Sequence, residues 1–180
     1  MAYTDWIPVL EIIQDKKQTS ILEFGIGAGT KALVDNFEEV FSLEILNDRE
    51  WFDKTVDQLK EYKNYAAKYI HAPELFSAHE EFAKSAQQNY RGNNFQGERP
   101  AKLLLEILEE SKSSIDYGKY DGFFVDAGVY LRGEIVNFVL QYKPRFVLVH
   151  DTNGFDDYGY NLVKSDEYAY FGFNTGDGTG

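Results

Sequence analysis

The chain contains five short, nearly uninterrupted apolar runs, and the segments between them have the periodicity of helices. Runs of this length are typical of strands that are covered on both faces, as the strands of parallel sheets are. The five predicted strands are Ser20–Phe24, Val40–Ile45, Ala66–His71, Asp121–Asp126 and Arg145–His150. Their alternation with helices predicts an α/β fold, a doubly wound and mostly parallel sheet with helices on both faces.

The remaining segments complete this prediction as a single domain over residues 1–180. Helices are predicted at Trp6–Ile13, Thr30–Phe37, Trp51–Leu59, Pro73–Tyr90, Leu103–Leu108 and Glu134–Tyr142. Asn47 and Asp48 are candidates to cap the third of these. The polar stretch Arg91–Pro100 is a predicted loop. Tyr168–Phe173 is a candidate for one further strand, in a sheet of about six or seven strands that is shortened at its C-terminal edge.

Composition limits the classes of partner. The formal net charge of −12 disfavours nucleic acid and anionic membranes as partners, and suits a neutral or cationic small molecule. The absence of cysteine excludes disulfides, thiolate zinc sites and cysteine nucleophiles. No signal-peptide pattern and no apolar run of about 20 residues is present, so we expect a soluble, cytoplasmic protein. The sequence leaves open whether the chain forms a homo-oligomer.

The turn after the first strand, ILEFGIGAGTKAL, is rich in glycine and leads into a helix. A dinucleotide fingerprint needs a third glycine where this chain has Thr30. A phosphate-binding loop of the Walker type needs a glycine before its lysine, but Lys31 follows Thr30. Both phosphate-binding motifs therefore fail on spacing, and a nucleotide-dependent oxidoreductase is disfavoured.

Two acidic residues flank this turn. Glu23 precedes Gly25 by two residues, where it would be a poor neighbour for a pyrophosphate and a good one for an ammonium group. Glu44 lies at the end of the second strand and can accept hydrogen bonds from both hydroxyls of a ribose. Glycines at alternate positions, Gly25, Gly27 and Gly29, let the backbone pass close to a bulky ligand. The residues alone thus predict an adenosine-like ligand without deciding which one.

Four segments, ILEFGIGAGT, FSLEI, YDGFFVDAG and FVLVHDTN, together resemble the strand-end motifs of class I S-adenosylmethionine-dependent methyltransferases. The resemblance implies that Glu23 and the loop Gly25–Gly29 contact the amino-acid part of the cofactor. It places Glu44 at the ribose, His71 and Ala72 near the adenine, and Asp126 near the amino group. Phe24 and Ile45 complete the implied cofactor-binding set. No N/D-P-P-Y/F motif follows the fourth strand, which disfavours the amino-methylating DNA and glutamine enzymes.

Acidic residues also end the fourth and fifth strands. Asp126 and Asp151 should face the same crevice as the glycine turn, and with Asn153 they would suit Mg²⁺. This set is similar to that of metal-dependent O-methyltransferases that modify catechols or sugars, although Thr152 separates Asp151 from Asn153 here. Such a metal would bind the acceptor hydroxyl and lower its pKa. His150 is the metal-free alternative, as a general base, and a third alternative gives these residues no catalytic role.

These features predict a methyltransferase that modifies a hydroxyl of a small polar, sugar-like acceptor. The alternative is a protein that binds adenosylmethionine or a related adenosine ligand without methyl transfer. Acceptor recognition is expected from Ser77–Pro100, whose polar and stacking groups are Tyr90, Arg91, Asn93 and Asn94, and from the segment after Asp151. The tyrosines of that segment form either a substrate wall or a half-buried sheet edge; they are Tyr158, Tyr160, Tyr168 and Tyr170.

Overall fold

The computed structural model describes residues 6–46, 49–89, 98–128, 131–152 and 158–172. Five parallel strands form one sheet in the order β3-β2-β1-β4-β5. The strands are β1 (Ser20–Phe24), β2 (Glu39–Leu46), β3 (Tyr65–His71), β4 (Gly122–Val125) and β5 (Phe146–Val149). The predicted α/β architecture is confirmed.

Helices connect the strands. They are α1 (Thr30–Asn36), α2 (Arg49–Leu59), α3 (Pro73–Asn89), α4 (Glu98–Ser111) and α5 (Arg132–Leu140). Short 3-10 helices occur at Ile7–Ile12, Lys16–Gln18, Tyr117–Lys119 and Tyr160–Leu162. Among the described residues, no helix has the length and the apolar character needed to cross a membrane.

A separate apolar core covers each face of the sheet. On one face, strand residues such as Phe24 and Phe123 pack with Leu104 of α4 and Ile135 of α5. On the other face, Ile21 and Phe124 pack with Leu33 of α1 and with Trp6 from the N-terminal segment. Because successive strand residues point to opposite faces, both faces need a cover, and the apolar runs along the strands follow from this.

Three local predictions differ from the structure. The segment Trp6–Ile13 forms a 3-10 helix over Ile7–Ile12, with Pro8 in its first turn, instead of an α-helix. Glu98–Pro100, predicted as loop, begins α4, because proline is compatible with the first turn of a helix. Residues 168–172 are not a strand. Tyr170 and Phe171 are exposed there, so no buried face fixes an extended pairing.

The described sheet therefore has five strands, fewer than the six or seven expected. Phe173, the last residue of the predicted sixth strand, and the capping candidates Asn47 and Asp48 lie outside the described residues.

Candidate functional site

The sheet reverses its winding direction between β1 and β4, and the two strand ends lie side by side there. In open α/β sheets such a switch point forms a crevice at the carboxyl ends of the strands, where ligands bind. Asp126 N, after β4, donates a backbone hydrogen bond to Phe24 O of β1 at 2.9 Å, and Gly25 N, after β1, donates one to Leu43 O of β2 at 3.0 Å. The glycine turn and the predicted acidic residues thus converge at one edge.

The three glycines of the turn have different environments. Gly25 has a φ of +101°, and a Cβ atom there would lie 2.4 Å from the carbonyl oxygen of Asp126. A Cβ atom at Gly29 would lie 2.6 Å from the indole of Trp6. At Gly27 the nearest heavy atom, on Trp51, would be 4.0 Å away. Close packing within the protein therefore requires glycine at positions 25 and 29. At position 27 there is space beside the loop for a side chain or a ligand.

Glu23 lies beneath the loop, and its side chain is enclosed at 2% exposure. One carboxyl oxygen accepts a hydrogen bond from Ser42 Oγ at 2.5 Å, and the other accepts one from Thr30 Oγ1 at 3.0 Å. Thr30 Oγ1 also accepts a hydrogen bond from Gly27 N at 2.9 Å. Burial raises the pKa of Glu23 to about 8, against the opposing effect of the two hydroxyl hydrogen bonds. Glu23 and Thr30 thus hold the loop from below.

Glu44 is the second buried acid, with 3% of its surface exposed. Its Oε2 accepts a hydrogen bond from Ile26 N, at the centre of the glycine turn, at 2.9 Å. Its Oε1 is buried and has no hydrogen-bond partner among the described residues. Burial raises the pKa of Glu44 to about 7, although the backbone N–H groups of Ile26 and Ile45 lower it. Buried acceptors without a partner are uncommon in proteins and call for an explanation.

Trp51, from the first turns of α2, contacts the other backbone group of Ile26. Its Nε1 donates a hydrogen bond to Ile26 O at 2.9 Å, while Glu44 accepts from Ile26 N. The indole remains 45% exposed beside Gly27. The centre of the glycine turn is thus fixed from β2 and from α2.

The other residues of the predicted cofactor-binding set differ in what they can offer. Phe24, Ile45 and Ala72 are core residues whose side chains are buried, so only their backbone groups can reach a ligand. The side chain of His71 is exposed, and its Nδ1 lies 3.3 Å from Tyr69 Oη.

The predicted catalytic residues form one cluster at the ends of β4 and β5. His150 Nδ1 lies 3.2 Å from Asp126 Oδ1 and 3.4 Å from Asp151 Oδ1. His150 is buried, whereas the side chain of Asp126 is 37% exposed, the most accessible of the three. Asp151 has a φ of +57°, in the left-handed region, which turns its backbone at the strand end.

Arg132, the first residue of α5, lies inside this cluster and is not among the site residues predicted from the sequence. It is 5% exposed, and its Nη1 lies 3.2 Å from Asp126 Oδ1 and 3.0 Å from Asp151 Oδ2. Nη1 also donates to His150 O at 3.2 Å, and Nε donates to Ala127 O at 2.7 Å. Burial alone would raise the pKa of Asp151, but the hydrogen bond from His150 and the charge of Arg132 outweigh it and lower the pKa below its usual value.

The predicted magnesium site is not supported by this arrangement. Ligand atoms of Asp126, His150 and Asp151 do lie within 4.8 Å of one another, as a metal centre requires. However, the guanidinium of Arg132 contacts both carboxylates, which are the oxygen ligands that Mg²⁺ would need. The residues present thus do not fit a divalent cation in addition to Arg132. Asn153, the third predicted metal ligand, lies outside the described residues.

The tyrosines after β5 have different surroundings. Tyr158 packs its ring 4.2 Å from the Arg132 guanidinium, and Tyr160 Oη donates to His150 O at 2.8 Å, so both support the cluster. Tyr160 also lines an apolar groove of about 440 Å³ along β5, together with Tyr168 and Tyr170. The acceptor-recognition candidates Tyr90, Arg91, Asn93 and Asn94 lie outside the described residues.

A sequence signal for Arg132 does exist. It is the single basic residue between Ala127 and Tyr142, and apolar residues surround it. A charged residue in such a stretch is buried only when it is paired, and two unpaired acids end the neighbouring strands. Ser42 and Thr30 have a weaker signal, because Ser42 interrupts an apolar strand and Thr30 occupies the position of the third glycine.

No protein-family model and no curated protein matches the chain. Solved structures do match, and methyltransferases and fibrillarins are among them. Phosphoethanolamine N-methyltransferase 1 of Haemonchus contortus, solved with phosphoethanolamine and S-adenosylhomocysteine, has 11% identity and a TM-score of 0.45, over 83% of this chain and 25% of that one. The fibrillarin pre-rRNA processing protein of Methanococcus jannaschii has 14% identity and a TM-score of 0.46, over 83% of this chain and 50% of that one.

The third is a fibrillarin of Aeropyrum pernix with natively bound S-adenosyl-L-methionine. It has 12% identity and a TM-score of 0.43, over 80% of this chain and 51% of that one. The chain thus spans between a quarter and about half of the length of these structures. At TM-scores below 0.5 these likenesses carry no weight for function, which we derive from the site alone.

Proposed function

We propose that the chain binds S-adenosylmethionine at the glycine turn and transfers its methyl group to a hydroxyl of a small polar, sugar-like molecule. The observation that carries the proposal is the buried carboxylate oxygen Oε1 of Glu44, which has no partner in the described part of the chain. The other oxygen of the same carboxyl group, Oε2, accepts a hydrogen bond from Ile26 N of the turn, so the position of Oε1 is defined. A ribose hydroxyl donating to Oε1 would satisfy it.

The charge of the surrounding residues suits this ligand. Asp126 lies close enough to raise the pKa values of Glu23 and Glu44, and Glu44 also raises the pKa of Glu23. A cation placed beside them, such as an ammonium or a sulfonium, would relieve this repulsion. A pyrophosphate would increase it. The electrostatics therefore favour adenosylmethionine over a dinucleotide.

Adenosylmethionine, when bound, supplies a methyl group that is activated by its attachment to a sulfonium sulfur. The acceptor hydroxyl must lose a proton as its oxygen takes that methyl group. We assign the acceptance of this proton to the Asp126–His150 pair. Asp126 is the more exposed of the two, and its Oδ1 lies 3.2 Å from His150 Nδ1. Arg132 and Asp151 fix the position of this pair. The pair thus acts without a metal ion.

The acceptor is assigned from charge. With a formal net charge of −12, the chain would repel the phosphates of RNA, and a protein that binds them needs clustered basic residues. A neutral or cationic small molecule meets no such barrier. We therefore assign a small polar acceptor and not a nucleic acid.

Calorimetry with S-adenosylhomocysteine tests the cofactor assignment. Glu44→Gln keeps an oxygen that can accept from Ile26 N and replaces the unpartnered oxygen by a donor, so we expect affinity to fall about tenfold or more. Glu50→Gln removes the same charge from the exposed first turn of α2 and should leave affinity unchanged. Absence of binding to the native chain would overturn the proposal.

Turnover tests the transfer step separately. Native protein that binds adenosylhomocysteine should methylate hydroxylated acceptors from radiolabelled adenosylmethionine, and Asp126→Asn should abolish this. Binding without turnover on a broad acceptor panel would instead indicate a protein that only binds the adenosine ligand.

A further inference from the structure

The cation at the ends of β4 and β5 belongs to the protein itself. Arg132 Nη1 lies among three oxygens, at 3.2 Å from Asp126 Oδ1, 3.0 Å from Asp151 Oδ2 and 3.2 Å from His150 O. Two of these oxygens are carboxylates from successive strand ends. One nitrogen atom thus takes the bridging position that a divalent cation would have in a site of this composition.

Several contacts fix the guanidinium in that position. Its Nε donates to Ala127 O at 2.7 Å, and the ring of Tyr158 covers it at 4.2 Å. The start of α5 is also pressed against the chain after β5: Gly133 N donates to Tyr158 O, and a Cβ atom at Gly133 would lie 2.0 Å from Gly159 O. Arg132 therefore has little freedom to leave the two carboxylates.

We propose that Arg132 is an internal cation that takes the place of a metal ion between Asp126 and Asp151, so that the native site excludes divalent cations and removal of the guanidinium opens a cation site. The uncovered ligands are the two carboxylates and the His150 imidazole. This set suits Mn²⁺, Co²⁺ or Zn²⁺. The inference concerns cation binding and is independent of adenosylmethionine.

Titration of untagged protein with Co²⁺ tests the proposal, because its visible absorption reports on the ligands that coordinate it. We expect no binding to the native chain at the cluster. We expect Arg132→Ala to bind Co²⁺ at least about 100-fold more tightly, since two carboxylates lose their positive partner. An imidazole contribution should appear in the absorption spectrum of the complex. Native protein that binds Co²⁺ as tightly as the variant would overturn the proposal.

Two further variants serve as controls. Arg132→Lys keeps a positive charge between the carboxylates and should bind no more Co²⁺ than the native chain. The double variant R132A/D151N lacks one ligand and should lose the site again. Gain of tight binding in Arg132→Lys, or its retention in the double variant, contradicts the assignment.

The test also stands if Arg132→Ala does not fold in metal-free buffer. Recovery of its circular dichroism on addition of Co²⁺, absent from R132A/D151N, then supports the proposal, because a metal that binds only the folded state stabilises it. Failure of Co²⁺ to restore folding, or failure of the folded variant to bind Co²⁺, contradicts it.

Discussion

The two halves of the site treat their acidic residues in opposite ways. At the ends of β1 and β2, Glu23 and Glu44 are buried with hydroxyl and amide donors but without a cation, and their pKa values are raised. At the ends of β4 and β5, Asp126 and Asp151 contact Arg132, and the pKa of Asp151 is lowered. The first half thus has carboxyl groups whose ionised form a cationic ligand can still stabilise, whereas the carboxylates of the second half already have a cation of the protein beside them.

This difference separates binding from positioning. Buried acids that await a cation are costly in the ligand-free chain, as is usual for groups that serve a ligand. Acids that are paired with a buried guanidinium are instead held in a fixed position by that guanidinium. We infer that the β1–β2 half selects the cofactor and that the β4–β5 half keeps Asp126 oriented towards it.

The largest expected effect comes from the residue at which the halves meet. Gly25→Ala would place a Cβ atom 2.4 Å from the Asp126 carbonyl oxygen, at a φ of +101° that favours glycine. We expect a loss of about 3 kcal/mol or more in the free energy of unfolding, measured by urea denaturation. Gly27→Ala, with its nearest neighbour at 4.0 Å, is the matched control and should unfold at nearly the native urea concentration. Equal stability of the two variants would contradict the close approach of the halves.

The second effect is a pH dependence of stability that originates at Glu23. The pKa of Glu23 is raised from 4.5 to about 8 in the folded chain, so the unfolded chain ionises first as the pH rises. Stability that is present below pH 4.5 is therefore lost progressively up to about pH 8. Glu23→Gln, which cannot ionise, should remove a decline on the order of 3 kcal/mol.

Denaturation of the native and variant chains at matched pH values measures this difference. Glu38→Gln, at an exposed position, is the control for the loss of one carboxyl group. Parallel stability profiles for the native chain and Glu23→Gln would show that the buried carboxyl does not titrate as described.

The smallest effect concerns ligand affinity and Glu44. Its pKa of about 7 means that the carboxylate, the form proposed to accept a ribose hydroxyl at Oε1, becomes populated as the pH rises through neutrality. The affinity for S-adenosylhomocysteine should therefore increase about tenfold from pH 6 to pH 8. Glu44→Gln has no carboxyl group at this position and should lose this increase. If the affinity of both chains had the same pH dependence, Glu44 would not be a ligand-binding residue.

The sequence predicted the positions of the strand ends well and the contacts between them less well. The apolar runs gave β1 with its observed bounds, and the motif spacing placed Glu44 and Asp126 at the crevice edge. These features depend on local periodicity and on the rule that parallel strands end at one edge. The inward orientation of the Glu23 side chain, in contrast, depends on its hydrogen bonds with Ser42 and Thr30, which lie 19 and 7 residues away in the chain.

Arg132 shows the same limit more strongly. Its partners come from two strand ends and from the chain after β5, and no local pattern specifies which of two acids a distant arginine will meet. Without that arginine, the pair Asp126 and Asp151 is typical of a magnesium site, so the sequence predicted a metal where the chain provides its own cation.

The chain has two tryptophans, and both contact the glycine turn. Trp6 is buried against Gly29 and Phe124, and Trp51 is half-exposed beside Gly27 with its Nε1 on Ile26 O. Indole fluorescence from this protein therefore originates wholly at the two sides of one loop. A shift in emission reports on that loop and not on an average over the molecule, and Trp51→Phe separates the solvent-facing signal from the buried one. The natural sequence thus contains an optical probe at the site where the ligand is proposed to bind.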